Sequence, residues 1–415
     1  MLKINRKILS NGLRLVHFED KATQMVALNL LYDVGAKDEN PYKTGFAHLF
    51  EHLMFSGSEN APSYDEPLQN AGGENNAWTN NDITNFYLTV PRQNVEVGFW
   101  LESDRMFNLS INERSVTVQK DVVTEEFKQR YLNQPYGDVG HLIRELAYKV
   151  HPYRWPTVGR DISHIKNANI EDVQQFYDKF YTPNNAILAV TGGIDFETAV
   201  GLTEKWFGSI ERFSDFKKPL IIEPAQQEKR FLEVRRSVPV DMLVMAFHMC
   251  DRRSRNYYAF DILSDILSNG ASSRLYQRLV LDRKVFSSID AYVSGSVDAG
   301  LFHIGGKPHE RVSLSEAEAA IWEELALLKE EKIADYELDK VKNKFESNYI
   351  FNNISYLNVA TNIAWFELLG DVEEINRVVS DYKSISAELL QEIAKSTFIP
   401  ENSSVLYYRK DNTQL

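Results

Sequence analysis

The second half of this chain repeats the pattern of the first. Sliding the sequence along itself by 222 residues places Leu53 on Leu275, Ile111 on Ile333, and the helical stretch 112–131 on the stretch near 334–353. The identities are few and the offset slips in the first strands, so what repeats is mainly the pattern. A duplicated chain folds as two copies of one arrangement, and 415 residues are too many for a single compact core. Periodicity fades from Phe213 to about Arg230, where Lys217, Lys218, Pro219, Pro224 and Gln226-Gln227 mark a linker. The expected organisation is a first domain over 1–215, a linker over 216–230 and a related second domain over 231–415.

Each half mixes strands with helices. Leu13–Phe18, Met25–Tyr32, Thr84–Val90 and Ala186–Val190 read as strands in the first half, and Met242–Phe247 in the second. Helical spacing runs over 45–55, 93–108, 112–131, 138–148 and 170–180, then over 256–268, 273–283, 315–328 and 335–349. The expected class is α+β: two related halves, each a mixed, mostly antiparallel sheet with helices packed on it.

The formal charge of −13 argues against a nucleic-acid partner and against an anionic membrane surface. No run approaches the roughly 20 apolar residues of a membrane span, and the first residues, Met1 to Leu9, lack the apolar stretch of a signal peptide. Cys250 is the only cysteine, so no intrachain disulfide forms, which fits a reducing compartment. The expected location is the cytoplasm.

Chemistry concentrates at His48-Leu49-Phe50-Glu51-His52. It is the one place where two of the nine histidines stand four apart. On a helix those positions share a face, so two imidazoles can converge on one ion. Glu51 borders that face. The flanks Phe46, Ala47, Leu49, Phe50, Leu53, Met54 and Phe55 are apolar, and polar groups in such a setting need partners. A bare histidine pair on an amphipathic helix is more often a surface or core pair than a ligand pair.

Catalytic zinc commonly takes three protein ligands and a water. The helix around 115–131 offers Glu125 and Glu126. Val116, Val123, Phe127 and Arg130 recur at helical spacing, and Glu126 neighbours that stripe, whereas Glu125 lies about 100° round the helix. Glu126 is therefore the preferred third ligand and Glu125 the solvated carboxylate. At the offset of 222, His48, Glu51, His52 and Glu126 fall on Gly270, Ser273, Arg274 and Asn348, so the second half keeps the fold without metal ligands.

The order His48-x-x-Glu51-His52, with Glu126 downstream, resembles the pitrilysin/insulinase group of inverted-motif zinc peptidases. The resemblance spans essentially the whole chain. Asn76-Ala77-Trp78-Thr79 is similar to that group's substrate-binding strand, and Val122-Val123-Thr124-Glu125-Glu126 to its distal-ligand helix. Asn133-Gln134-Pro135-Tyr136-Gly137 and Ser272-Ser273-Arg274-Leu275 are also family-like, and the length resembles the short bacterial and mitochondrial-processing branch. The resemblance implies Zn2+ held by His48, His52 and Glu126, with Glu51 as general base and later proton donor. It implies peptide substrates paired with Asn76, Ala77, Trp78 and Thr79, in a closed chamber that admits short or unfolded peptides.

Two features depart from the family pattern. Where a second acid often stands seven residues before the distal ligand, this chain has Gln119. Where many members carry Arg-x6-Tyr after the Ser-Arg-Leu stretch, it has Val280 and Ser287, with Tyr292 out of register. An intact metal motif beside a missing substrate clamp points to a heterodimer with a related, zinc-lacking chain that supplies the arginine and tyrosine. A homodimer is the alternative. The competing function is a non-catalytic scaffold or peptide-binding subunit. Tyr153 and Arg154 read as surface loop rather than site lining, and His17, His141, His164, His248, His303 and His309 carry no ligand spacing.

Overall fold

The computed structural model describes residues 1–212, 218–295 and 297–411. Their contacts divide into two compact units. The first comprises Met1–Lys128, Trp155–Leu220 and Tyr349–Arg377; the second comprises Gln129–Arg154, Ile221–Asn348 and Val378–Leu415.

The first unit is built on a six-stranded sheet of β1 (Asn5–Ile8), β2 (Arg14–Glu19), β3 (Met25–Tyr32), β4 (Glu74–Thr79), β5 (Thr84–Pro91) and β6 (Ala186–Gly192), in the order β1-β2-β6-β3-β5-β4. β2 and β6 run parallel and every other pairing is antiparallel. The central strands are buried on both faces and read as continuous apolar runs, MVALNLLY and AILAVTG, as strands covered on two sides must. The exception is Asn29, whose amide exchanges bonds of 2.9 and 2.8 Å with that of Asn85 on β5, so neither buried group is left unmatched. Of the helices that follow, α1 (Phe46–Leu53) packs on β4 and β5, α2 (Asp65–Asn70) on β4 and α3 (Val95–Phe107) on β3 and β5, while α4 (Glu113–Phe127) packs on α1. The helix Tyr356–Leu369 packs on β3 and β6, where Thr191 Oγ1 donates to Tyr356 O at 2.6 Å and Thr361 Oγ1 to Asn29 Oδ1 at 3.3 Å.

The second unit repeats this plan. Its sheet holds β7 (Arg230–Arg236), β8 (Met242–His248), β9 (Phe286–Ser294), β10 (Leu301–Pro308) and β11 (Ser403–Lys410), in the order β7-β11-β8-β10-β9. β7 and β11 are parallel and the rest antiparallel. Strand for strand this is β2-β6-β3-β5-β4, so the α+β class and the relation of the halves stand as expected.

Two features differ from the sequence reading. Contiguous domains over 1–215 and 231–415 account for the sheets but not for all helices, because 129–154 belongs with the second unit and 349–377 with the first. The reason is apolar surface. Ile143 and Ala147 join a core with Val244, Ala246, Leu406 and Tyr408, while Val359, Ala360, Ile363 and Ala364 are buried on the helix that covers β3 and β6. The expected linker starts at residues 216 and 217, which lie outside the described residues, as do 213–215 at the end of the expected first domain. From 218 onward it is held in place: Lys218 Nζ meets Asp33 Oδ1 at 2.8 Å, and Glu223 accepts the amides of Lys149, Val150 and His151 at 2.8 Å each.

The repeat offset also varies. β3 and β8 start at Met25 and Met242, 217 apart, and α4 and the helix Asp335–Asn352 start at Glu113 and Asp335, the full 222 apart. α1 is equivalent to the helix Asn256–Ser268, each followed by a left-handed glycine, Gly57 at φ 99° and Gly270 at φ 95°. Matching those glycines sets Asp261, Ser264 and Asp265 opposite His48, Glu51 and His52, in place of Gly270, Ser273 and Arg274. Asp261 accepts the Tyr382 hydroxyl, and Asp265 accepts Asn269 Nδ2 at 2.6 Å.

Candidate metal centre

α1 is short and strongly two-sided. Phe46, Leu49, Phe50 and Leu53 enter the core, with Phe50 stacked on Tyr181 at a ring separation of 5.0 Å. His48 and His52 share the other face, rings 4.9 Å apart and nearly perpendicular. α4 begins at Asn112, whose side chain accepts the amides of Arg114 and Ser115. Val116, Val123 and Phe127 bury one stripe of α4. That stripe turns the Glu126 side chain inward at 19% exposure and leaves Glu125 at 61%, paired with Lys128. Glu126 thus faces inward and Glu125 outward, the orientations expected from helical spacing.

His48 Nε2 lies 3.5 Å and His52 Nε2 3.3 Å from the same oxygen, Glu126 Oε2. Among the described residues this is the one group of three metal-type donors, all within 4.8 Å of one another. The separations exceed the roughly 2.7–2.9 Å of a charge-assisted hydrogen bond. They lie close to the roughly 3.3–3.4 Å edge of a tetrahedron whose centre sits about 2.0–2.1 Å from each corner, the bond length of zinc to imidazole and carboxylate. Two nitrogens and one oxygen also match the donor preference of zinc. The residues present therefore fit the ion.

Glu51 is half-buried on α1 and stands outside this donor group. Burial pushes the Tyr181 phenol far above its ordinary value, and the Glu51 carboxylate adds to that, which places its charge within electrostatic reach of the aromatic floor beneath α1. Gln119 Nε2 donates to Ser56 Oγ at 3.1 Å, so the position that departs from the family pattern makes a neutral tie between α4 and the chain just after α1.

β4 is an edge strand of its sheet, and it contains Asn76, Ala77, Trp78 and Thr79. Ala77 packs on the core opposite Phe86 of β5, Trp78 is half-buried, and Asn76 is exposed. The Ala77 amide donates to Asn76 Oδ1 at 2.8 Å, which shields part of an otherwise open strand. In the second unit Val280 sits in a π-helical turn, Tyr276–Asp282, and the exposed Ser287 donates to Lys307 O at 2.9 Å. Tyr292 is stacked on His303 at 4.7 Å.

One sequence reading changes. Tyr153 is buried rather than a surface loop residue: its hydroxyl accepts the Asp298 amide at 2.9 Å and its ring meets His151 at 4.3 Å. One residue, Glu39, is absent from the sequence reading. It is buried below the start of α1 and accepts the Gly45 and Ala47 amides. An acid a few residues ahead of a glycine-started amphipathic helix was the available signal.

An inverted His-x-x-Glu-His helix facing a carboxylate on a second helix, in a duplicated α+β frame, defines the class of inverted-motif metallopeptidase folds. Comparison with known proteins agrees. A family model described as "Insulinase (Peptidase family M16)" matches residues 14–159, and one described as "Peptidase M16 inactive domain" matches 167–345. The chain belongs to this family, the pitrilysin/insulinase peptidases. The zinc protease PqqE of Helicobacter pylori is 27% identical over 409 residues, covering 97% of this chain and 91% of its own length. The uncharacterized zinc protease YmxG of Bacillus subtilis is 25% identical, covering 97% of this chain and 98% of its own. The crystal structure of a protease from Helicobacter pylori superposes with a TM-score of 0.93 at 26% identity, covering 99% of this chain and 100% of that one. Relatives named as zinc proteases support a peptidase. The "inactive" description covers residues 167–345, a stretch that holds none of the three metal-type donors grouped among the described residues.

Proposed function

We propose that this chain is a zinc-dependent endopeptidase acting on short or unfolded peptides. The observation that carries the reading is the convergence of His48 Nε2 and His52 Nε2 on Glu126 Oε2, at 3.5 and 3.3 Å, with Glu51 on the same helix and outside the set. When bound, zinc supplies Lewis acidity and lowers the pKa of a water to about 7. Glu51 takes the proton of the attacking water and returns it to the leaving amine. β4 offers main-chain groups on its free edge, so a peptide lying extended there is held without regard to its sequence, and Asn76 Oδ1 gives up the Ala77 amide to it.

Val280 and Ser287 supply neither a guanidinium nor a phenol, so a second chain is the proposed source of the missing substrate clamp. We favour a related zinc-lacking partner over a second copy. The single cysteine is compatible with the cytoplasm, and none of the described helices is long and apolar enough to cross a membrane.

Metal analysis combined with a quenched-fluorescence peptide assay tests the reading. Wild type binds about one zinc and cleaves in a chelator-sensitive way, with a partner chain carrying Arg-x6-Tyr added if needed. Glu51→Gln keeps the zinc and loses about 10²–10⁴-fold in kcat, the usual worth of a general base. Loss of zinc in Glu51→Gln, or zinc-loaded wild type inert with every such partner, contradicts the reading.

A further inference from the structure

Glu39 is a buried acid to which the hydrolytic reading gives no task. It is 5% exposed, and each of its oxygens accepts an amide at the start of α1: Oε2 from Gly45 at 2.8 Å and Oε1 from Ala47 at 2.9 Å. Those amides are among the orphan donors every helix leaves at its N-terminus, where negative charge is favoured. Burial pushes the Glu39 carboxyl up to about 8, and the amides of Ala47, Gly45 and Phe46 oppose that rise.

Most helices take this cap from their own first residue, as α4 does with Asn112. Position 45 cannot. Gly45 is left-handed at φ +95°, and a Cβ there would fall 2.9 Å from both Val158 O and Ile165 Cδ1. The cap must come from elsewhere in the chain. The residue before it is held as well: Thr44 Oγ1 meets His164 Nδ1 at 2.9 Å and accepts the Arg160 amide at 2.8 Å. α1 has only eight residues, with His48 next to the clamped Ala47 and His52 one turn on. A tilt of the first turn is passed directly to both imidazoles.

We propose that Glu39 is the positioning residue of the metal helix: by clamping the Gly45 and Ala47 amides it fixes the rotation and tilt of α1, so that His48 and His52 meet Glu126 at the spacing zinc requires. This rests on the zinc reading above. Glu39 touches neither the donor atoms nor the peptide edge, and it acts through α1.

Glu39→Gln and Glu39→Ala in the full chain test it. Glutamine keeps one acceptor but turns its NH2 against the second amide; alanine leaves both amides bare. Zinc affinity is measured by competition with a chromophoric chelator, geometry by the visible spectrum of the cobalt-loaded protein, and folding by near-UV circular dichroism. Expected is a loss of zinc affinity of about 10–100-fold for alanine, a smaller loss for glutamine, and a changed cobalt spectrum in both, with folding retained. If alanine does not fold, glutamine alone decides. A folded variant with wild-type zinc affinity and cobalt spectrum overturns the proposal, even if it melts earlier, because Glu39 would then serve folding only. If wild type binds neither zinc nor cobalt, the zinc reading itself falls and this proposal with it.

Discussion

Replacing Arg105 by methionine probes the packing beneath the metal helix. Arg105 on α3 and Glu102 one turn before it are almost fully buried, their side chains 2% and 1% exposed. Arg105 Nε donates to Glu102 Oε2 at 2.8 Å and Nη2 to Oε1 at 2.6 Å, and the Tyr64 hydroxyl donates to Oε1 at 2.7 Å. The guanidinium lies 4.2 Å from the Phe86 ring centre and 4.6 Å from that of Tyr64. Burial disfavours the arginine charge, but Glu102, together with the Tyr64 and Tyr32 phenols, outweighs this and holds Arg105 above its ordinary value. Methionine preserves the stem and removes the charge. Glu102 is then a carboxylate in an apolar core with one phenol donor. Breaking a buried pair from one side costs about 3–5 kcal/mol. For a unit of this size each kcal/mol lowers Tm by about 2–4 °C, so the expected fall is about 6–20 °C. Thermal and urea unfolding measure it. The double variant Glu102→Gln/Arg105→Met leaves no bare charge and keeps an acceptor for Tyr64, so it should regain more than half of the loss. A single variant costing less than about 1 kcal/mol, the range of an exposed pair, would refute the reasoning. So would a double variant no better than the single.

Three further outcomes follow from the same geometry. Burial pushes the His303 imidazole down to about 3, against about 6.5 in an unfolded chain, so the folded state resists its protonation. Its contribution to stability is whole above pH 6.5 and is lost as pH falls from there towards 3; His303→Asn should flatten stability against pH between about 6 and 4, and a slope equal to wild type would contradict this. Gly45→Ala forces a side chain into a left-handed backbone and against Val158 O, so it should cost about 1–3 kcal/mol in calorimetry and weaken zinc binding; a neutral variant would contradict it. Zinc at about 100 times its Kd should stabilise wild type by about 2.7 kcal/mol in thermal unfolding and leave His52→Ala unchanged; equal shifts in both would place the ion elsewhere.

Much of the centre was legible because its residues obey local periodicity. Four-residue spacing alone puts His48 and His52 on one face, and the stripe of Val116, Val123 and Phe127 separates Glu126 from Glu125. Strands such as Met25–Tyr32 were plain because burial on both faces demands a nearly continuous apolar run, here broken only by Asn29. What escaped depends on packing and contacts that no periodic pattern marks. The helix Tyr356–Leu369 carries apolar residues all round, with no stripe to mark which sheet it covers. The shift from 222 towards 213 between the halves comes from loops of different length, and the strand starts Met25 and Met242 and the paired glycines Gly57 and Gly270 reveal it. Glu39 reaches six and eight residues along the chain to its partners, across a turn that no periodic pattern describes. Tyr153 was read as surface because it lies in an irregular segment, yet its hydroxyl is matched 145 residues away.

Anomalous diffraction at the zinc edge, from crystals of the chain grown with one equivalent of zinc, asks whether these donors share an ion. The expected result is a single peak about 2.0–2.2 Å from His48 Nε2, His52 Nε2 and Glu126 Oε2, with the Glu51 carboxylate clear of it. A peak at any other place, no peak, or a Glu51 oxygen among the ligands would contradict it.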